Sequence, residues 1–481
     1  MAAPSKRNTP PTYIYARKLR PMQTDLRITT KMSASERVAN WYSRYFPDAL
    51  IFALILTVLS VVLALAMTDA GPVGVLEAWF GGLPMLFQFA FQLAFTYAAA
   101  LVLVDTPAVQ RGIRRAAALI KTPQMAYLAT GLIGAATSFI GWYIGPVVTA
   151  ILARALAKEI RGVDYRLISA IAYSSFVISL TGISGTIPLF VATEGPLTEL
   201  VGGLIPLEKT TFSTMNLVSA ALIVVVTAVI YAAVARRKTE IVTFHDLAID
   251  GYAEDETPAD TEEHRDNSFA DKVNHSRAIL LVVGLMGLGY LVYYLATTGL
   301  AGLNLNTVAV IALVMGMLVQ KDAMSYARSF TRNLSASSSI MLQFPLYGGI
   351  AAIFAETGLA ARFSDGLIAI ATEATFLPIA FVITGFLNLF VPSAGSQFVA
   401  TAPFFVPAGD ALGVDNVMTI MAITYGDIWT NLIQPFWALL YFPILAAGTR
   451  LRVRDFMGYN LPILVAVGLI WGTALVVFGT P

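Results

Sequence analysis

The stretch QMAYLATGLIGAATSFIGWYIGPVVTAILARALA, residues 124–157, decides how this chain is read. It is apolar almost throughout and far longer than the about 20 residues that cross a hydrocarbon core of roughly 30 Å. Ser138, Gly141, Gly145 and Pro146 interrupt it near the middle. A full crossing and a re-entrant hairpin are both open to such a segment, and the flanking basic residues separate them. Arg111, Arg114, Arg115 and Lys121 precede the stretch, while Arg154, Lys158, Arg161 and Arg166 end or follow it. A full crossing would put these clusters on opposite faces, against the concentration of Lys and Arg on the cytoplasmic side. A hairpin keeps both inside.

The same logic organises the rest of the chain. Apolar segments of spanning length run at 49–68, 83–104, 213–235, 277–297, 304–320, 335–356 and 459–479. A second over-long stretch, 375–410, is broken by Gly, Pro and Ser and reads as a second hairpin. Residues 166–193 and 416–445 are also long. Their breaks, Thr181-Gly182-Ile183-Ser184-Gly185-Thr186-Ile187-Pro188 and Gly426-Asp427 through Gln434-Pro435, suit crossing helices unwound at mid-depth. The expected fold is an all-α polytopic membrane protein with about nine transmembrane helices, two re-entrant hairpins and two unwound helices. With the N-terminus inside, the cytoplasmic segments hold 29 of the 31 basic residues, leaving Lys209 and Arg362 outside. The C-terminus is then periplasmic in a bacterial inner membrane.

Composition agrees with this reading. The chain is 57% hydrophobic and 13% charged, against roughly 25% charged in soluble domains. It has no Cys, which excludes disulfides and thiolate metal sites. A net charge of +1 gives no reason to expect a nucleic-acid partner. The basic segment 1–48 carries no signal-peptide-like run, so the first apolar span is expected to direct insertion.

Internal similarity recurs at an offset of about 250 residues. Gly162-Val163-Asp164 returns as Gly413-Val414-Asp415, and Ala170-Ile171-Ala172-Tyr173 as Ala422-Ile423-Thr424-Tyr425. Thr137-Ser138-Phe139 matches Thr384-Gly385-Phe386, and Gln92 and Tyr97 match Gln343 and Tyr347. Matched positions are separated by an odd number of crossings, so the second copy is inverted relative to the first. The expected organisation is a first repeat over 49–238, an acidic cytoplasmic linker over 239–276, a connecting helix over 277–303 and a second repeat over 304–481. The linker holds Glu254, Asp255, Glu256, Glu262 and Glu263 with His245, His264 and His275, and reads as solvated chain. A regulatory or metal-binding role for the histidines is the alternative. Amphipathic segments at 107–121 and 321–334 are expected to lie at the interface and carry the hairpins.

Backbone freed from helical bonding is tolerated in a membrane only where protein or a wet cavity covers it, so the hairpin tips and the breaks should meet. They supply Ser138, Gly141 and Trp142 from the first tip, and Ser393, Gly395, Ser396 and Gln397 from the second. Ser184 and Thr186, then Thr430 and Asn431, come from the unwound crossings. This set is rich in hydroxyls and amides and lacks Lys, Arg and His. It suits a small anion held by N–H and O–H donors and by helix N-termini. Asp427 is the one acid placed deep in the membrane, beside Asn388 and Asn431. Such a carboxylate needs a cation, a proton or polar partners, and a sodium ion or proton bound there is the expected coupling ion. Blander readings stand beside these. Gly182 and Gly185 serve close helix packing as readily as ligation, Trp142 is equally a packing anchor, and Asp427 is alternatively a cap for N–H groups freed at the break. No paired carboxylates, metal-ligand spacing or phosphate loop supports an enzyme.

At Phe390-Val391-Pro392-Ser393, at Ala422 through Asp427, and at Gln434-Pro435-Phe436-Trp437-Ala438-Leu439, the chain resembles bacterial short-chain fatty acid transporters. So do Tyr45-Phe46-Pro47-Asp48, Gln343-Phe344-Pro345 with Tyr347-Gly348-Gly349-Ile350, and Arg454-Asp455-Phe456-Met457-Gly458-Tyr459. That family is similar to the wider ion transporter superfamily. The resemblance implies gradient-driven carriage of small monocarboxylates such as acetoacetate or butyrate, and a homodimer. Where the family pattern has an Asn before the first-tip Trp and a Gly-rich run ending in His at the second tip, this chain has Gly141 and Ala394-Gly395-Ser396-Gln397. Another small organic anion, such as a dicarboxylate, and a passive anion channel are the competing functions.

Overall fold

The computed structural model describes residues 49–238, 240–249, 268–389, 393–434, 437 and 441–479. The basic segment 1–48, the linker acids with His264, and positions 390–392, 435, 436 and 438–440 of the family motifs lie outside the described residues. Helices dominate, and among the described residues the extended pairing is a single bridge between Ala248 and Thr449.

In the first half, α1 (Ala49–Met67) is followed by α2 (Pro72–Gly82) and α3 (Phe87–Val104), then by the amphipathic α4 (Pro107–Ala118). The helix pair α5 (Pro123–Ile140) and α6 (Ile144–Glu159) comes next, then α7 (Tyr165–Ser174), the short α8 (Thr186–Val191) and α9 (Thr214–Arg237). After α10 (Arg277–Thr298), the second half runs through α11 (Leu305–Val319), α12 (Ala323–Ala336), α13 (Ser338–Glu356) and α14 (Leu359–Ile370). It closes with α15 (Glu373–Asn388), α16 (Ala394–Ala411), α17 (Asn416–Trp429) and α18 (Leu461–Gly479).

The starts of these helices follow from single residues. Thr106 and Thr122 accept from the backbone N–H of Val109 and Met125, each with Pro at the first helical position, where a missing N–H costs nothing. Asp164 and Asp415 cap α7 and α17 in the same way, and Gly162 and Gly413 just before them have φ of +80° and +79°. The two Gly-Val-Asp motifs thus share one local structure, with Gly at the left-handed position that a side chain would strain.

The exterior is apolar, unlike that of a soluble protein: Val58 on α1, Met286 on α10 and Leu469 on α18 are exposed, and within a mostly apolar interior Asn216, Asn388, Asp427 and Asn460 are fully buried. An apolar exterior with buried polar groups that face protein and not lipid is the distribution a bilayer selects. Among the described residues, four continuous helical segments are long and apolar enough to cross it: Pro72–Val104, Thr214–Arg237, Phe269–Gly302 and Val453–Gly479. Met341–Glu356 and Leu359–Ile370 form a fifth if they count as one span, bent by 72°.

Four details differ from the sequence reading. The span expected at 83–104 begins at Pro72, because α2 runs into α3 through a 3-10 turn at Leu83–Leu86 that contains Pro84. Gly82 there meets Gly348 and Gly349 of α13 so closely that a Cβ would lie 2.5 Å from the Gly348 carbonyl oxygen. The helix preceding the second hairpin is α14, not the amphipathic 321–334 segment. That segment, as α12, instead packs on α3 through Asp105, which accepts from Ser329 and Arg332 at 2.6 Å and from Asn333 at 3.0 Å. Residues 240–249, expected to be solvated, are docked. Tyr165 N–H donates to the Val242 carbonyl at 2.7 Å, Arg450 N–H donates to the Leu247 carbonyl at 2.7 Å, and Phe244 packs on Tyr165. Finally, α17 stays helical through Gly426 and Asp427 to Trp429, so the second break begins at Thr430.

Candidate substrate and ion site

The first hairpin tip is stitched to the first break. α5 ends at Ile140, Gly141 is extended, and α6 begins at Ile144. In the other segment, α7 gives way to a 3-10 turn at Ser175–Ile178 and helix resumes only at Thr186. Ile183 N–H donates to the Phe139 carbonyl at 2.8 Å, and Trp142 N–H donates to Ser184 Oγ at 2.9 Å. Gly182 is pressed on Phe139, where a Cβ would come within 2.8 Å of Cα, and Gly145 leaves the same little room beside the Ser138 backbone. Gly182 is therefore explained by packing. Ser138 is fully buried, and its Oγ has no partner among the described residues.

The second tip and break form a tighter polar knot. Asn388, at the end of α15, donates through Nδ2 to Thr430 Oγ1 at 3.0 Å and to Asn431 Oδ1 at 2.6 Å. Thr430 Oγ1 donates to the Gly385 carbonyl at 2.7 Å, and Gln434 Nε2 to the Asn388 carbonyl at 2.7 Å. Gln397 Nε2 caps the Thr384 carbonyl at 2.7 Å, and Ser393 Oγ donates to Ser396 Oγ at 3.0 Å. These bonds leave Asn388 Oδ1, Asn431 Nδ2, Gln397 Oε1 and Gln434 Oε1 buried without partners among the described residues. Gly395 faces Phe89 and Phe344, whose rings a Cβ would approach to 2.9 and 3.2 Å, so it serves aromatic packing. Thr186 is buried at the start of α8.

Asp427 is fully buried, and neither carboxylate oxygen has a hydrogen-bond partner among the described residues. It sits in the last turn of α17, and among the described residues it accepts from no N–H group freed at the break. Gly426 beside it lets α15 pack closely, since a Cβ there would come within 2.8 Å of Thr384 Cβ. Among the described residues no group of three or more His, Asp or Glu could hold a metal ion.

An aromatic wall adjoins both knots. Trp142 packs edge-on to Trp437 at 5.8 Å, Trp437 lies 5.1 Å from Phe176, and Tyr97 lies 5.9 Å from Trp142. Trp142 Nε1 is buried without a partner among the described residues.

Four residues that the sequence reading did not place in the site tie its parts together. Tyr173 on α7 donates to the carbonyls of Asn431 and Gln434, the latter at 2.7 Å, and so reaches the second break from the first half. Tyr425 on α17 donates to Asn216 Oδ1 at 3.2 Å, and Asn216 Nδ2 holds the first-break carbonyl of Thr181 at 2.9 Å. Asn460 repeats the arrangement: its Nδ2 holds the Leu432 carbonyl at 3.1 Å while its Oδ1 accepts from Tyr231 at 2.8 Å. Asn216 lies in the first turn of α9 and Asn460 just before α18, so the signal available was an amide at the start of each long apolar span.

A buried cluster of amides and hydroxyls with unspent hydrogen-bonding capacity, inside a helical body with an apolar exterior, belongs to a multi-pass membrane transporter. The family model described as short chain fatty acid transporter matches residues 29–478. A protein of Escherichia coli (strain K12) that bears the same description is 33% identical over 92% of this chain and 99% of its own length. One of Haemophilus influenzae is 32% identical over 90% of this chain and 96% of its own. The chain belongs to the short-chain fatty acid transporter family, and it is a transporter and not an enzyme. Among solved structures, the YdaH transporter of Alcanivorax borkumensis superposes with a TM-score of 0.57 at 15% identity, covering 89% of this chain and 97% of that one. At that identity the likeness is one of fold.

Proposed function

We propose that this protein carries short-chain monocarboxylates of the acetoacetate or butyrate class, coupled to a sodium ion or proton, by alternating access. The observation that carries the reading is that, among the described residues, the buried donors Asn431 Nδ2, Ser138 Oγ and Trp142 Nε1 and both oxygens of the buried acid Asp427 all lack hydrogen-bond partners. The substrate carboxylate takes the donors, with Ser184, Thr186, Ser393, Ser396, Gln397 and Thr430 shaping the pocket. The short tail lies on the Trp142, Trp437 and Phe176 wall. No Lys, Arg or His lies among the mid-membrane site positions. The anion and the Asp427 carboxylate therefore repel each other until a cation or proton neutralises the acid. Loading Asp427, with Asn388 Oδ1 as a further oxygen ligand, raises substrate affinity, and this linkage couples the two fluxes.

In the same proposal residues 49–238 and 304–481 are inverted repeats joined by the 277–303 helix, with hairpins at 124–157 and 375–410. The N-terminus lies in the cytoplasm and the C-terminus in the periplasm, and the protein sits in the inner membrane as a homodimer. Uptake of labelled butyrate into proteoliposomes tests the function, with sodium and pH gradients imposed separately. Saturable accumulation that collapses when one gradient is removed is expected. Flux that never saturates and ignores both gradients would indicate a channel, and competition by dicarboxylates alone would change the substrate class.

A further inference from the structure

A cavity of about 270 Å³ lies between α5, α7 and α9, beside the candidate site and not within it. Leu128 and Leu132 form one wall, Ile171 and Ile223 the others, and Leu128 and Leu132 are themselves about half exposed on the outer face. The inner end carries Ser174 and Ser175, but both hydroxyls are already spent on their own helix, donating to the carbonyls of Ile171 at 3.2 Å and Ala172 at 2.8 Å. That end therefore presents an apolar surface ending at Ile178, in the 3-10 turn that leads into the first break.

The other end is basic. Gln124 from the first turn of α5 and Arg236 from the last turn of α9 line it. Arg237 follows Arg236 in the chain, and Lys121 lies three residues before Gln124. Asp164, the acid whose N–H donates to Tyr127 at this end, is already paired with Lys238. From Ile223 to Arg236 along α9 is ~20 Å at 1.5 Å per residue, which matches one leaflet, half of a roughly 30 Å core, plus the headgroup level. An apolar slot one leaflet deep, opening sideways and ending at Arg236, which has no acid partner among the described residues, has the dimensions and charge of an acyl chain under an anionic headgroup.

We infer that this crevice holds one anionic phospholipid, its phosphate at Arg236 and an acyl chain against the Ser175–Ile178 turn. The lipid fills the space between the outer arm of the first hairpin and α9, and so buttresses the first break from the membrane side. This inference does not rest on the proposed substrate, because its readout is lipid retention and not transport.

Native mass spectrometry of the purified full chain, titrated with phosphatidylglycerol and with phosphatidylcholine, tests it. One phosphatidylglycerol should be retained at least tenfold more strongly than phosphatidylcholine. Arg236→Ala, at an exposed helix end, should lose that preference, Arg236→Lys should keep it, and Ala228→Leu should reduce retention by filling the slot. Equal retention of the two lipids, or of phosphatidylglycerol by all forms, would overturn the inference. So would retention of a free long-chain fatty acid in place of either phospholipid.

Discussion

The Tyr173 hydroxyl, on α7 of the first half, donates to the backbone carbonyl of Gln434 in the second break at 2.7 Å. A broken helix leaves carbonyls without intrahelical partners, and in a membrane interior those groups must be satisfied by protein. Each half therefore supplies a tyrosine that serves the other half's break: Tyr173 directly, and Tyr425 through Asn216. The second break is held directly from the first half, and the first break through Asn216, which Tyr425 orients.

Tyr173→Phe removes both bonds; the Asn431 carbonyl keeps the Gln434 N–H at 3.3 Å, while the Gln434 carbonyl loses the Tyr173 donor. A loss of about 1–3 kcal/mol is expected. Thermal unfolding in detergent should show the midpoint lowered in Tyr173→Phe and unchanged in Tyr290→Phe, which alters an exposed ring on α10.

Asn431→Ala and Ser138→Ala remove unspent donors. Losing one hydrogen bond to a charged ligand costs about 1.5–3 kcal/mol, or roughly ten- to over a hundredfold in affinity. Butyrate binding by calorimetry measures this, and normal affinity in both variants would remove them from the site.

Asp427→Asn should preserve the fold and substrate exchange while abolishing accumulation against a gradient. Counterflow and concentrative uptake in the same vesicles separate the two. Concentrative uptake with unchanged sodium and pH dependence would make Asp427 structural.

Gly426→Ala places a methyl group against the Phe381 carbonyl and Thr384. Overpacking at such a contact costs about 1–3 kcal/mol, whereas Gly472→Ala, with nothing within 4 Å, should be neutral or slightly stabilising. Unfolding midpoints of the two variants make the comparison.

Topology is open to labelling because the chain has no native Cys. With an impermeant external reagent, Asp410→Cys should react in intact cells and Lys158→Cys only after permeabilisation. The reverse at either position would dismantle the inverted-repeat proposal.

The sequence by itself determined the class of fold. Apolar segment lengths answer to bilayer thickness, so α9, α10 and α18 were legible. The Gly-Val-Asp motifs were legible because a left-handed Gly followed by a capping Asp is a local instruction. The candidate cluster was half legible, since Asn388, Thr430, Asn431 and Gln434 stand out as polar residues in apolar surroundings. Tertiary structure alone decided which polar atoms remain unspent. Asn388 Nδ2 is consumed by Thr430 and Asn431 while Asn431 Nδ2 is left over among the described residues, and nothing in the chain order distinguishes the two amides. It also decided that Gly182, Gly395 and Gly426 serve close packing and that residues 240–249 dock. A hydrogen bond or a contact between residues far apart in the chain is set by the packed helices, and a pattern that reads one helix at a time contains no information about what lies across the gap.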